Sequence, residues 1–261
     1  MSRFMLRFVL AAALCAGCAT SPTGRSQLLL FPQAEMETMG ATAYAEMKST
    51  QRISTDATLQ SRARCVADAV AAQVTGPYAG MQWEVTVFDE PSPNAFALPG
   101  GKIGVHSGLF AVAKNQDQLA TVLGHEVGHV IAAHANERVS TQYATQSGLQ
   151  IIDTLSGGSS PGQQQLLGLL GAGAIVLPFG RAQESESDEI GLELMAKAGF
   201  DPAQSVVFWR NMAAAGGDQP PEFLSTHPAH GRRIADLQAA LPGANQLRAA
   251  ARARGLRPRC Y

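Results

Sequence analysis

The chain of 261 residues is 46% hydrophobic and only 16% charged, a balance that excludes a disordered polar chain and suffices for one sizeable core. Its formal net charge is −1, which argues against nucleic acid as a partner even though the stretch 248–259 is locally basic.

The first segment reads as a targeting sequence. Arg3 and Arg7 precede a short apolar run, Phe8 to Leu14, and Ala16-Gly17-Cys18 has the form of a bacterial lipobox. Residues 1–17 are expected to leave as a signal peptide, with Cys18 then lipidated. Cys15 stands where such boxes usually carry Leu, and cleavage without a lipid is the alternative. Loss of the two arginines leaves 18 basic against 21 acidic residues. Thr20, similar to bacterial sorting signals that lack Asp after the cysteine, points to the periplasmic side of the outer membrane. Cys65 and Cys260 then remain in an oxidising compartment. One disulfide between them is expected, tying the C-terminal tail to an early helix; two unpaired thiols are the alternative.

Residues 18–32 read as a lipidated tether, 33–245 as one folded domain and 246–261 as a basic tail. Helical pattern runs from Glu35 to about Val74 with a break near Ser54-Thr55-Asp56. Met36, Met39, Tyr44 and Met47 recur within it at core spacing. Trp83 to Phe88 alternates as a strand. Asn94 to Leu98, the turn Pro99-Gly100-Gly101, and Lys102 to His106 form a predicted hairpin. Either hairpin strand is a candidate edge for pairing with an extended peptide, and His106 is a candidate substrate contact. A helix is predicted from near Asn115, with Leu119, Val122, Leu123, Val130 and Ile131 as its buried stripe. An amphipathic helix over 136–154 follows. Beyond it lie a mobile Gly/Ser/Gln-rich stretch, 156–165, and an apolar run, 166–179, read as a buried helix and too short to span a bilayer. Further helices are predicted over 182–198, from Asp201-Pro202 onward, and from Ala229 to just before Pro242-Gly243.

The chemistry concentrates in His125-Glu126-Val127-Gly128-His129. Helical spacing of four puts both imidazoles on one face, where they can share a metal, with Glu126 beside them as general base. Gly124 and Gly128 are expected to leave room for a metal and a substrate. A catalytic zinc needs a third protein ligand. Glu184 is the best candidate, with Glu186 its rival, and Asp188, one turn from Glu184, is placed to orient a ligand imidazole. Glu186 and Glu189 are otherwise expected to face solvent. His134 is expected at the surface or behind the ligands, and His230 exposed.

These residues, with Ser225-Thr226-His227-Pro228, Arg233-Ile234, Asn94 to Gly101 and Gly108-Leu109-Phe110, resemble the Ste24/Oma1/HtpX peptidase family of gluzincins over roughly residues 24–240. The lipoprotein start makes the likeness strongest to its soluble periplasmic members. The resemblance implies a mainly helical α+β, zincin-like fold with a small antiparallel sheet beside the active-site helix. It implies one Zn2+ on His125, His129 and Glu184, and endopeptidase action on misfolded or misassembled envelope proteins. A chaperone or assembly factor with a mostly latent protease site is the alternative. His227 is, by the same resemblance, a candidate fourth ligand that closes the resting site, and it or another nearby donor can assist the reaction. Arg233 is left between bracing a loop and touching the site, and the oligomeric state stays open.

Overall fold

The computed structural model of the chain describes residues 18–155, 180–215, 223, 227 and 231–261. The expected loop at 156–165, the apolar run 166–179 and His230 lie outside these residues. Strand β1 (Cys18–Thr20) pairs antiparallel with β2 (Ser26–Leu28). Then come helices α1 (Gln33–Thr50) and α2 (Ala57–Ala71), and strands β3 (Glu84–Phe88), β4 (Ala95–Leu98) and β5 (Lys102–His106). They are followed by helices α3 (Gln116–Ile131), α4 (His134–Leu155), α5 (residues 180–197), α6 (Ala203–Ala215) and α7 (Arg233–Ala253). The architecture is mainly helical, as expected. Among the described residues no helix is long and apolar enough to cross a membrane.

The segment expected as a tether is part of the fold. The Gln27 side-chain amide donates to the Ala132 carbonyl at 2.7 Å, the Leu30 N–H to Ser140 Oγ at 2.8 Å, and Asn136 Nδ2 to the Phe31 carbonyl at 2.7 Å. These bonds satisfy backbone and buried polar groups that a free tether would leave to water. In α1 the buried row is Met36, Gly40 and Tyr44, and Met39 is 48% exposed rather than core. Gly40 fixes that row: a Cβ there would lie 2.2 Å from the Pro99 carbonyl oxygen, so this line, and not Met39, meets the β4–β5 turn.

The sheet is mixed, not purely antiparallel. Its order is β3-β5-β4, with β3 parallel to β5 and β4 antiparallel to it. After β3 the chain crosses to the far side before β4, and β5 returns between the two. A central β5 cannot be the open edge, so that half of the expectation fails, and β4 alone borders the active helix. Bonding of the His106 N–H to the Asn94 carbonyl fixes the alternation of the pair. It leaves the Ala95 and Ala97 backbone groups on the open side of β4.

Helix α3 starts where Asn115 caps it, accepting from the Gln118 N–H at 2.9 Å. Every residue from Gln118 to Val130 is buried. The expected single stripe is therefore a helix covered all round, enclosed by α2, β4 and α6. The main core joins Val66 and Val70 of α2, Val87 and Ile103 of the sheet, Leu119 and Leu123 of α3, Met195 of α5 and Phe208 of α6.

Two boundaries near the C-terminus move. Helix α7 runs through Pro242 to Ala253, so much of the expected basic tail is helical. Pro242 and Gly243 are exposed, where water can take the carbonyl that proline leaves unpaired. Leu237, Ala244 and Ala251 carry one buried stripe across the proline. Beyond it, Cys260 is bonded to Cys65 of α2, with Cα atoms 5.5 Å apart.

Candidate metal centre and active site

His125 and His129 sit one turn apart on α3, and Glu184 and Asp188 one turn apart on α5. What brings the two helices together is glycine against glycine. A Cβ on Gly191 would lie 2.6 Å from the His125 nitrogen and 2.7 Å from the Gly124 carbonyl carbon. One on Gly124 would lie 2.8 Å from the Gly191 oxygen, and one on Gly128 3.0 Å from the Ser187 oxygen. Gly124 and Gly128 thus make room for the backbone of α5, not for a metal or substrate as the sequence suggested.

This close crossing brings His125, His129, Glu184 and His227 together, one donor atom from each lying within 4.8 Å of the others, all four side chains buried. His125 Nε2 is 3.0 Å from His129 Nε2, 3.3 Å from Glu184 Oε2 and 3.3 Å from His227 Nδ1. Glu184 Oε1 is 3.4 Å from His129 Nε2 and 3.1 Å from His227 Nδ1. Tetrahedral zinc with bonds of ~2.0–2.1 Å spaces its ligands by roughly 3.3 Å. The donors match that edge length, and imidazole with carboxylate is the set zinc takes at catalytic sites, so the residues fit the ion.

The groups behind the ligands set their tautomers. His125 Nδ1–H donates to Asp188 Oδ1 at 2.9 Å, which frees Nε2 for the metal. Arg233 donates from Nε to Asp188 Oδ2 at 2.6 Å and from Nη2 to Glu184 Oε2 at 2.8 Å, with its guanidinium 3.7 Å above the Trp209 ring. Arg233 therefore braces two site carboxylates, which its place in the sequence did not reveal. Burial lowers the His125 pKa, but the Asp188 and Glu184 carboxylates outweigh it and lift the ring to about 9. Burial alone dominates at His129, whose ring falls well below the ordinary histidine range. Glu184 is pushed up by burial yet held far below the usual carboxylate range by hydrogen bonds from His125, His129 and His227.

Glu126 stands beside the donors with its Oε1 buried and without a hydrogen-bond partner among the described residues. His227 Nε2 lies 3.5 Å from that oxygen. Burial raises the Glu126 pKa, against a lowering backbone hydrogen bond from Ala97 of β4. A buried carboxylate with one oxygen unpartnered and its pKa raised, beside a metal site, is placed to take a proton from water. Glu126, His129 and His227 open on a cleft of about 330 Å3 whose apolar walls include Phe31, Met36, Tyr78 and Phe96. His106 does not line it; that ring is buried, bonded to Ser92 Oγ at 2.9 Å and set edge-on to Phe96.

One expectation near the site is corrected. Glu186 is neither solvent-facing nor a ligand: it is 4% exposed and its carboxylate meets His134 Nε2 at 3.1 Å. His134 stands behind a ligand, as one of its two expected places, but it reaches there from outside the motif helix. That helix ends at Ile131, and Ala133 turns the chain with a left-handed φ of 54°. The turn folds His134 back so that its Nδ1 lies 2.8 Å from Nδ1 of His129. A non-glycine residue in this conformation is uncommon, and no glycine marked the turn in the sequence. Glu189 is exposed, as expected.

The profile of peptidase family M48 matches residues 54–241. The chain is 38% identical over 176 residues to the mitochondrial metalloendopeptidase OMA1 of Saccharomyces cerevisiae, covering 64% of this chain and 50% of that protein. It is 32% identical over 241 residues to the mitochondrial metalloendopeptidase OMA1 of Bos taurus, covering 87% and 46%. With the beta-barrel assembly-enhancing protease of Escherichia coli K12 it shares 34% identity over 163 residues, 59% of this chain and 33% of that protein. The chain thus spans half or less of the length of these relatives. With the family profile reaching across both ligand helices and a donor set that fits the metal, this chain belongs to peptidase family M48, a family of zinc metalloproteases.

Proposed function

We propose that the protein is a zinc endopeptidase that hydrolyses peptide bonds of misfolded or misassembled cell-envelope proteins. One observation carries the activity: the zinc donors His129 and His227 open, together with Glu126 and its unpartnered Oε1, on a cleft bordered by the edge of β4. Zinc, when bound, acidifies water toward pKa ~7 and polarises a carbonyl. Glu126 accepts the proton of the attacking water and delivers it to the leaving amine. Asp188 and Arg233 hold His125 and Glu184 in place while charge moves. The Ala95 backbone groups and the Ala97 carbonyl on the β4 edge align an extended substrate strand by main-chain hydrogen bonds.

The envelope assignment rests on the sequence. The lipobox at Cys18 supports anchoring at the periplasmic face of the outer membrane, and Cys18 is exposed at the start of β1. The Escherichia coli relative named as a beta-barrel assembly-enhancing protease supports envelope substrates. The OMA1 relatives are mitochondrial by name and support only the peptidase chemistry.

A second reading, an assembly factor or chaperone whose protease is mostly latent, has its own observation. His227 Nδ1 fills the fourth donor corner, and its ring stacks on Phe223 at 4.5 Å. In this reading substrate has to displace His227 before catalysis. Comparison of envelope cleavage products between wild type and Glu126→Gln tests both. Fragments made only by the wild type support the peptidase; full function of the Gln variant in cells supports the binding role.

A further inference from the structure

The two histidines of the motif are each backed by a carboxylate held by an arginine, but the two arms differ in origin. Behind His125 stand Asp188 and Arg233, from α5 and α7. Behind His129 stands a longer line. His129 Nδ1 meets His134 Nδ1 at 2.8 Å, and His134 Nε2 meets Glu186 Oε2 at 3.1 Å. Glu186 in turn accepts from Thr23 Oγ1 at 2.7 Å and Arg25 Nε at 3.0 Å. Arg25 also forks onto Glu137, Nη1 to Oε1 at 2.5 Å and Nη2 to Oε2 at 2.7 Å, and Glu137 accepts from Gln183 Nε2 at 2.7 Å. Thr23 and Arg25 lie in the turn of the β1–β2 hairpin.

The protons on this line can be arranged in one way if His129 is to bind zinc. Nε2 faces the metal bare, so the ring proton sits on Nδ1 and is donated to His134 Nδ1. His134 must then carry its own proton on Nε2 and give it to an ionised Glu186. A Glu186 turned away would free His134 to take the other tautomer and set two N–H groups against each other.

We propose that the β1–β2 hairpin is a working part of the metal centre, with Arg25 a positioning residue that acts through Glu186 and His134 to hold His129 in its zinc-binding tautomer and orientation. The proposal rests on the zinc site described above. Docking of the hairpin region does not call for Arg25, since the bonds Gln27 to Ala132, Leu30 to Ser140 and Asn136 to Phe31 attach it independently. A buried ion network is also a poor source of net stability, because desolvation offsets most of the attraction. What the line does provide is a fixed direction for one imidazole.

The test uses the full mature chain in four forms: wild type, Arg25→Met, Glu186→Gln and Gln27→Ala. Zinc affinity is measured by chelator competition, and the Co2+-substituted proteins are compared by visible absorption. Groups behind a metal ligand typically change metal affinity by ~10–100-fold. Arg25→Met and Glu186→Gln are expected to bind zinc ~10–100-fold more weakly and to shift the cobalt bands, with Arg25→Lys recovering part of the loss. Gln27→Ala, which loosens the hairpin without touching the line, is expected to melt earlier with wild-type zinc affinity and cobalt spectrum. Glu186→Gln, nearly isosteric, keeps the test valid if Arg25→Met does not fold. Wild-type affinity and spectrum in both line variants, or an equal loss in Gln27→Ala, would overturn the proposal. Failure of the wild type to bind one zinc would overturn the site itself.

Discussion

Replacing Gly191 by alanine gives a sharp test of how the centre is assembled. In the interior of a helix this change ordinarily stabilises by up to ~1 kcal/mol. Here the new methyl would stand 2.6 Å from the His125 nitrogen and 2.7 Å from the Gly124 carbonyl carbon, against 3.4 Å for ordinary contact. The atoms it meets are backbone and cannot rotate away, so α5 has to retreat from α3 by several tenths of an ångström, up to about 0.8 Å. Zinc sites tolerate ligand displacements of only ~0.2 Å, and Glu184 travels with α5 while the histidines stay on α3. Overpacking of this kind costs ~1–3 kcal/mol, which lowers the melting temperature by roughly 2–12 °C in a domain of this size. Gly191→Ala should therefore melt earlier and leave dialysis with substoichiometric zinc, read by calorimetry and by metal analysis. A variant that melts at or above the wild-type temperature with one zinc per chain would refute the reasoning.

Glu126→Gln should retain one zinc per chain yet cleave an unstructured protein at least ~100-fold more slowly; parallel loss of metal and activity would show that Glu126 is holding the site rather than moving a proton. His227→Ala should raise proteolysis at unchanged zinc content, assayed with the same substrate, and no rise would remove His227 as the closing group. Cys260→Ser opens a loop of 195 residues, for which the chain-entropy estimate is about 5 kcal/mol as an upper bound. The tail keeps the Gln116 bonds to Cys260 N–H and the Pro258 carbonyl and the contact of Tyr261 with Arg62. A fall in melting temperature on the order of 10 °C is expected, and a change under about 2 °C would count against it.

The ligands were legible because helical periodicity is a local rule. Residues 125 and 129, and 184 and 188, share a face whatever surrounds them. The family pattern then supplied His227, whose partners are 43 and 102 residues away in sequence. Glu186 was misread for the opposite reason. Two positions from Glu184 it points to the far side of α5, which would be the wet side were it not covered by the hairpin at 18–28. Once that segment was taken as a tether, nothing was left to bury Glu186. Arg25 was overlooked on the same ground. His134 needed the turn at Ala133, a left-handed conformation that alanine does not signal in a sequence. Pro242-Gly243 resembles a helix stop and would act as one in isolation. The buried stripe of α7 on either side of it outweighs one missing hydrogen bond on an exposed face.

The bond between Cys65 and Cys260 has a consequence for how the protein's own damage would look. Every zinc donor and Glu126 fall between the two cysteines in sequence. A single cut anywhere in that span, by the enzyme itself or by another protease, leaves two fragments joined through sulfur. On a gel without reductant the nicked and intact chains migrate as one species of unchanged mass. Self-processing within that span therefore becomes visible only after the sample is reduced.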